Sequence, residues 1–494
     1  MSFARVTLSN VLWAFAGTAG ARLASLAGLV ALARILAPED FGLVAFALVF
    51  TTYIETVGDL GAGMALIYWP SRYDDAAQVS FGINIVMGVL WGGMTLLVAP
   101  AVAAFFHEPA ATPILRTLAL IFPIKALGAT HDALLQKQLR FRSRLVPELA
   151  LAVLKAVASV GLAVAGMGVW SLVWGQIVGL AAWVGVLWWV QRWRPRRYWP
   201  RNLMVPMLGY GRDIVAVNIL AAVLHHADLI VVGRMLGVTA LGLYQIASKV
   251  PAMTITVLMW GVNKVLFPVF SRLHKAGDDL ATSYVGALRA ISLITIPAGA
   301  GLVLLAGPIV LVCFGEQWLG SVPILQALAV YTALRSVGSH AGDVLKATGR
   351  PGLLATLGLV KGALLLPALV IAGSHGTAAV AWTLTAVTVV TVPLNLVVVC
   401  RLIGVGWREV AGALLPAVAS SAVLVTTVRL LQLSFLGRPP ALELLLSVPS
   451  GMFAYALALR LISPETYRQA VLLIRQACRA DMPEQSLTVE AEGP

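Results

Sequence analysis

Six cationic residues lie deep inside long apolar stretches of the sequence, where a charged side chain is costly to bury. They are Arg22, Lys125, Lys155, Lys249, Arg335 and Lys361. A charge in the middle of a bilayer costs several kcal/mol unless it faces a cavity or a partner, so such residues usually have a function. Arginine offers a planar fork of donors and lysine a compact charge, and both bind phosphate oxygens. The six side chains therefore predict a cavity that accepts an anion, for which a diphosphate has suitable chemistry.

Three acidic residues, Glu55, Asp59 and Asp228, lie in similar apolar surroundings. They are fewer than the deep cations, so pairing inside the protein would leave positive charge for an anion or water to neutralise. Some of them could pair with the cations as structural links between helices. They could instead bind protons or sodium ions as coupling ions, and the Asp-Leu-Gly segment at 59–61 could equally cap the second apolar stretch.

The sequence predicts neither a metal site nor an enzyme active site. His225 and His226 lie close to Asp228, but neighbouring positions on a helix point about 100° apart, so the two rings cannot easily share a metal. Three cysteines lack metal-binding spacing and indicate no disulfide framework: Cys313, Cys400 and Cys478. No Walker A loop, paired-carboxylate cluster or nucleophile elbow is found in the sequence. We therefore expect a protein that is not an enzyme and has no cofactor.

These residues must be positioned by membrane-spanning helices. The chain has 494 residues, of which 59% are hydrophobic and only 12% charged, and its mean hydropathy is +0.89. A soluble globular protein carries about a quarter charged residues, and one crossing of the hydrocarbon core needs about 20 apolar residues. The sequence therefore predicts an all-α polytopic membrane protein with about fourteen helices. We place them near residues 8–33, 43–68, 78–105, 111–134, 148–166, 169–190, 213–234, 240–267, 284–312, 320–345, 353–372, 377–400, 409–431 and 441–461.

The loop cations predict the topology. Arginine and lysine concentrate in alternate loops, most densely at 137–144 and 192–202, whereas the opposite loops hold few, such as Arg34 and Arg234. Because cytoplasmic loops carry the excess of basic residues, we expect both termini in the cytoplasm. No cleavable signal is expected, since the first apolar stretch is long and contains Arg22. The net charge of +13 is thus mostly a topology signal, and we predict contact with membrane lipids but no nucleic-acid partner.

An internal repeat predicts the domain organisation. Residues 32–47 align with 232–247 at an offset of 200, and residues 113–128 align with 323–338 at an offset of 210, which places Lys125 opposite Arg335. Repeats of equal orientation predict two halves related by an axis along the membrane normal. The predicted domains are an N-lobe, a basic cytoplasmic linker, a C-lobe, two extra helices and a cytoplasmic tail, at 1–191, 192–202, 203–402, 403–462 and 463–494.

Several motifs resemble one family of transporters. They include LAPEDFGLVA at 36–45, LLQKQLRFRSRLVPE at 134–148, FGEQWLGSVPILQAL at 314–328 and KATGRPG at 346–352. In this order, over about residues 10–400, the chain resembles the polysaccharide flippases of the multidrug/oligosaccharidyl-lipid/polysaccharide (MOP) exporter superfamily, of the O-antigen, exopolysaccharide and teichuronic-acid type. The resemblance implies two six-helix lobes around a central cavity, which agrees with the repeat.

The resemblance also implies a function and a location. The expected activity is alternating-access translocation of an undecaprenyl-diphosphate-linked oligosaccharide across the bacterial inner membrane, for lipopolysaccharide or exopolysaccharide synthesis. A polysaccharide polymerase and assembly proteins are the expected partners. Arg22, Lys125, Lys249 and Arg335 are the main candidates for the cavity. Lys155 and Lys361 are secondary candidates, because in such a fold their helices would lie farther from the axis.

Three alternative functions differ in what they require. A peptidoglycan-precursor (lipid II) flippase shares the cationic cavity and differs only in the sugar. A cation-coupled multidrug antiporter of the same superfamily would need acidic or aromatic sites for cationic drugs, whereas the first helix carries Arg22 and no acid. A membrane polymerase or ligase would need a large external loop, and the longest predicted external connection is short.

Overall fold

A computed structural model of the chain describes most of the sequence as helix. The described residues are 20–58, 60–68, 73–138, 140–196, 198, 200–256, 259, 266, 269–274, 276, 279–434 and 439–478. No β-strand occurs among them. The α-helices are α1 (20–35), α2 (Pro38–Val57), α3 (Ala62–Tyr68), α4 (Tyr73–Phe105), α5 (Ala111–Leu118), α6 (Ile121–Lys137), α7 (Phe141–Val164), α8 (Val169–Val190), α9 (Arg201–Pro251), α10 (Leu280–Leu304), α11 (Ala306–Cys313), α12 (Val322–Ser339), α13 (Ala341–Ala347), α14 (Pro351–Gly373), α15 (Thr377–Ile403), α16 (Trp407–Ser434), α17 (Pro440–Ile462) and α18 (Pro464–Cys478).

The predicted all-α polytopic architecture is confirmed. Within the described residues, ten helical stretches are long and apolar enough to cross a membrane. The span predicted at 169–190 coincides with α8, and those at 78–105 and 377–400 fall within α4 and α15. Long apolar runs locate such helices well, because every backbone polar group in lipid must be hydrogen-bonded inside its own helix.

Several predicted spans contain a break. The span predicted at 111–134 is divided into α5 and α6 just before Pro123. The spans predicted at 213–234 and 240–267 meet at Gly237, where the backbone is non-helical (φ 84°, ψ −180°), so α9 consists of two helices that are separated at this residue. Proline lacks a backbone donor and its ring meets the carbonyl four residues earlier, so a helix tolerates it best in its first turn. Glycine adopts the positive φ without steric cost.

The described chain divides into two compact units. The first comprises 1–253, 306–331 and 355–390, and the second comprises 254–305, 332–354 and 391–494. This division does not follow the boundaries of the predicted lobes, which stay a prediction. The core of the first unit includes Trp318 and Tyr244, both fully buried.

In the second unit, polar side chains tie α16 and α17 to each other and to α10. Gln432 on α16 donates to the Leu304 carbonyl (3.0 Å) and to Glu443 Oε1 (2.9 Å) at the start of α17. The Tyr455 hydroxyl on α17 donates to the Leu293 carbonyl at 2.9 Å. These bonds hold the two helices beyond the predicted C-lobe against α10, as a local three-helix assembly.

Candidate anion-binding cavity

Small residues allow three helices of the first unit to approach closely around Lys155. A Cβ on Gly175 or Gly179 of α8 would overlap Ser159 or the Cβ of Lys155 on α7. A Cβ on Gly28 of α1 would likewise overlap the side chain of Ala156 on α7. Glycines spaced four apart permit close helix contact in membranes. This packing fixes the position of Lys155 relative to α1 and α8.

A cavity of about 410 Å³ lies in the first unit beside these contacts. Its walls come from α1, α2, α7, α8, α9 and the π-helical turn after α9. Three of the predicted cations line it, one from each of three helices: Arg22, Lys155 and Lys249. The neutral polar residues on its walls are Ser25, Ser159, Gln176 and Gln245.

The residues that line this cavity do not neutralise its positive charge. None of the described lining residues is acidic. Within the described part of the chain, the three cations form no ion pair. Two buried acceptors on the same walls, Ser159 Oγ and Gln176 Oε1, also have no hydrogen-bond partner in the described residues. The cavity thus combines unneutralised cations with unpartnered polar atoms, which suits a ligand that carries both an anionic group and hydrogen-bond donors such as hydroxyls.

The other predicted cations lie elsewhere. Lys125 on α6 donates from Nζ to Glu55 Oε2 on α2 at 2.8 Å, so its charge is neutralised by the protein. Lys361 lies partly buried on α14, and Arg335 lies exposed on α12 within the second unit. Lys125 and Lys361 are not among the residues that line the cavity. Their predicted substrate role, like that of Arg335, stays a prediction.

The predicted coupling acids are placed differently from one another. Glu55 is held by Lys125, as described above. Asp228 on α9 accepts a hydrogen bond at Oδ2 from the Tyr244 hydroxyl, at 2.9 Å. His226 lies two residues before Asp228, and its ring meets the ring of Tyr53 edge-on, with 5.9 Å between the ring centroids. Asp59 lies outside the described residues.

Ser159 and Gln176 are cavity residues that the sequence reasoning missed. Ser159 follows Lys155 by four residues, so the two side chains share one face of α7. Gln176 lies directly after Gly175, the residue that packs against Ser159. A search for polar residues one turn from each deep cation would have found Ser159. The missing signal for Gln176 was the helix contact itself, which only the folded structure provides.

An apolar groove of about 800 Å³ lies in the second unit along α16 and α17. Most of its wall is made of aliphatic and aromatic side chains, with Thr427 and Ser450 as the polar members. No charged residue lines it among those described. This groove and the cationic cavity therefore have opposite chemistry.

Solved structures define the class of fold. The chain has a TM-score of 0.74 with the lipid II flippase MurJ in an inward closed conformation, at 13% identity, over 93% of this chain and 100% of that one. It has a TM-score of 0.65 with an inward-facing multidrug resistance MATE family transporter of the MOP superfamily, at 14% identity, over 78% and 94% of the two chains. The chain therefore shares its fold with these two transporters.

Sequence comparison gives the family. Residues 31–323 match the polysaccharide biosynthesis protein family, and the chain belongs to it. It is 26% identical to the lipopolysaccharide biosynthesis protein WzxC of Escherichia coli, over 76% of each chain, and 26% identical to the succinoglycan biosynthesis transport protein ExoT of Rhizobium meliloti, over 72% of each. It is 27% identical to the teichuronic acid biosynthesis protein TuaB of Bacillus subtilis, over 61% of this chain and 63% of that relative. The predicted resemblance to polysaccharide flippases is confirmed.

Proposed function

We propose that this protein is a flippase that moves a polyprenyl-diphosphate-linked oligosaccharide across the bacterial inner membrane. The observation that carries the proposal is the convergence of Arg22, Lys155 and Lys249 on one cavity without an acid among its described lining residues. Family membership and the polysaccharide relatives support the substrate class. The ligand's diphosphate would neutralise the cations, the Ser159 hydroxyl would donate to a ligand oxygen, and Gln176 Oε1 would accept a hydrogen bond from a sugar hydroxyl.

The apolar groove of α16 and α17 supports the same substrate. A polyprenyl chain is hydrocarbon and stays in the bilayer while the head group crosses. A wall that consists mainly of aliphatic and aromatic side chains, such as Leu431, Phe453 and Leu457, favours contact with such a chain. We propose that the cavity binds the diphosphate.

Two alternative functions make different demands on these regions. A cation-exporting multidrug antiporter would have to admit positively charged drugs into a cavity that already holds three cations. The cavity therefore argues against it. A lipid II flippase would use the same cavity chemistry. The sequence relatives named for polysaccharides favour the polysaccharide substrate over lipid II.

The proposal also includes the residues that would couple transport to an ion and the proteins that would receive the product. Glu55 and Asp228 are the described acids that would take up a proton or sodium ion during the transport cycle. Protonation of Glu55 would break its ion pair with Lys125. Ion binding would then be linked to the loss of a contact between α2 and α6. We place both termini in the cytoplasm and expect a polysaccharide polymerase and assembly proteins to receive the product.

The test is a charge-removal experiment in cells whose own polysaccharide exporter has been deleted. The variant combines Arg22→Gln, Lys155→Gln and Lys249→Gln. Each charge-assisted hydrogen bond contributes roughly 1.5–3 kcal/mol, so exported polysaccharide should fall by more than about a hundredfold. The lipid-linked intermediate should accumulate in the cells.

The matched control keeps the charges and combines Arg22→Lys, Lys155→Arg and Lys249→Arg. It should retain measurable export, and both variants should reach wild-type levels in the membrane. Full export by the charge-removed variant would contradict the proposal. Rescue of cells depleted of their lipid II flippase, without rescue of polysaccharide export, would favour the lipid II alternative.

A further inference from the structure

Two segments in equivalent positions of the sequence repeat, residues 34–42 and 234–242, each contain a turn between helical stretches, and these two turns lie against each other in the first unit. A Cβ on Gly42 would overlap the carbonyl oxygen of Val238, and a Cβ on Gly242 would overlap the carbonyl oxygen of Pro38. Both contacts join positions 38 and 42 of one repeat with positions 238 and 242 of the other, at the offset of 200. The two turns therefore meet in a nearly symmetric, backbone-to-backbone contact. The glycines are required there because any side chain would separate the turns.

Arg34 extends from the first of these turns to the end of α11. Its guanidinium donates to the carbonyl oxygens of Cys313 at 3.2 Å, of Leu311 at 3.4 Å, and of Val312. The last carbonyls of a helix lack partners within the helix, and a cation at this end also interacts favourably with the helix dipole. Arg34 thus binds the C-terminal end of α11, where the helix dipole favours a positive charge.

Arg234 extends from the second turn to the end of α4. Its Nη1 donates to Nδ1 of His107 at 2.8 Å. Its guanidinium carbon lies 5.1 Å from the centre of the Phe105 ring, within the range of a cation–π contact. Each arginine therefore binds a segment that belongs to the opposite repeat.

The two bound segments are themselves equivalent. Residues 105–108 read Phe-Phe-His-Glu and residues 313–316 read Cys-Phe-Gly-Glu. Both leave their helix through a residue with positive φ, at His107 (59°) and Gly315 (105°). The same arrangement of an arginine and a helix end therefore occurs twice. The acceptors differ, since Arg34 donates to backbone carbonyls and Arg234 donates to a histidine ring.

Further bonds join the same segments. Trp318 donates from its indole nitrogen to the Ala33 carbonyl at 2.8 Å, and Gln317 donates to the same carbonyl at 2.7 Å. Thr239 donates from Oγ1 to Glu39 Oε1 at 2.9 Å, which joins the two turns directly. The segment after α11 therefore donates to a carbonyl at the end of α1, while Arg34 on α1 donates to the carbonyls at the end of α11.

We propose that Arg34 and Arg234, with the helix ends that they bind, form a two-armed clasp that closes the external side of the transport pathway. The loop charges predict that both turns face outward. Release of a substrate to the outside requires the two repeats to separate there. The contacts of Arg34 and of Arg234 must then both break. Arg34 is exposed and its acceptors are neutral carbonyls, so water can replace them when the clasp opens.

The test measures access to the cavity from the outside and needs no substrate. The reporter is Ser25→Cys on the cavity wall, in a chain whose native cysteines are replaced by Cys313→Ser, Cys400→Ser and Cys478→Ser. Right-side-out membrane vesicles receive a membrane-impermeant maleimide. Arg34→Ala or Arg234→Ala should each raise the external labelling rate about tenfold, since a charge-assisted bond contributes at least the 1.4 kcal/mol that a tenfold change requires. The double variant should be labelled fastest.

Arg34→Lys keeps the charge and should be labelled more slowly than Arg34→Ala. The matched control is Arg429→Ala, an exposed arginine near the end of α16, which should leave labelling unchanged. Labelling after permeabilisation shows that each variant is folded with its reporter accessible. Unchanged external labelling in Arg234→Ala and Arg34→Ala, or a rise seen only from the cytoplasmic side, would overturn the clasp. Because no substrate enters this assay, a failure here is separate from a failure of the proposed flippase activity.

Discussion

Two groups of intramembrane cations in the same compact unit differ in what neutralises them. Lys125 lies 2.8 Å from Glu55, and the two side chains are 43% and 29% exposed. Arg22, Lys155 and Lys249 instead line a cavity of about 410 Å³ with no acid among the described residues of its walls. From the sequence alone, all four look alike as isolated charges in apolar stretches.

The difference separates structural charges from ligand-binding charges. An ion pair inside the protein offsets part of its own desolvation cost and needs no charge from outside. A cation without a partner keeps that cost until an anion arrives, so the protein tolerates it only for binding. We therefore expect changes at Lys125 to lower stability first, and changes at the cavity cations to lower transport first.

The largest expected effect is on transport at the cavity. Lys155→Gln should reduce polysaccharide export by about 10- to 100-fold, because it removes one charge-assisted contact to the ligand. The same substitution should leave the thermal stability of the purified protein unchanged or higher, since it removes a cation that no acid balances. Export is measured in exporter-deleted cells and stability by thermal unfolding in detergent. A stable variant with full export would remove Lys155 from the binding site.

The next effect is on stability at the ion pair. Glu55→Gln leaves Lys125 without its partner, and should lower the free energy of unfolding by about 1–3 kcal/mol, a value reduced by the partial exposure of both side chains. The double variant Glu55→Gln, Lys125→Gln should recover most of that loss, because no unpaired charge remains. Thermal unfolding of the wild type, Glu55→Gln, Lys125→Gln and the double variant measures this coupling. Equal stability of all four proteins would show that the pair contributes nothing.

The smallest expected effect is at the packing that supports the cavity. Gly179→Ala would press a Cβ against Lys155 and the Leu151 carbonyl, so α7 and α8 must separate slightly. We expect a loss of about 1–2 kcal/mol in stability and a several-fold loss of export. Gly185→Ala is the matched control on the same helix, where the added Cβ meets no atom within 4 Å. If both variants behave alike, the close helix contact does not position Lys155.

Much of the fold was predictable from the sequence because membrane helices are local features. The apolar run at 169–190 predicted the bounds of α8. The offset of 200 between the repeats reappears as the symmetric contacts of Gly42 and Gly242. The two spans predicted on either side of residues 235–239 are likewise separate helices, because the backbone at Gly237 is non-helical.

The site was only partly predictable. Arg22 and Lys249 were placed among the main cavity candidates, and both line the cavity beside Lys155, which was ranked below them. Lys125 was ranked with them but is bonded to Glu55. Sequence spacing within one helix cannot show which residue of another helix lies opposite, so ranking these cations required contacts between distant parts of the chain.

The sequence by itself determined that the chain is a helical membrane protein of the polysaccharide flippase type. Composition, apolar length and motif order are properties of neighbouring residues and need no folding to be read. Only the tertiary structure decided which charges are neutralised by the protein and which face a cavity. That distinction depends on the distance between side chains on different helices, and electrostatic energy changes steeply with that distance and with burial.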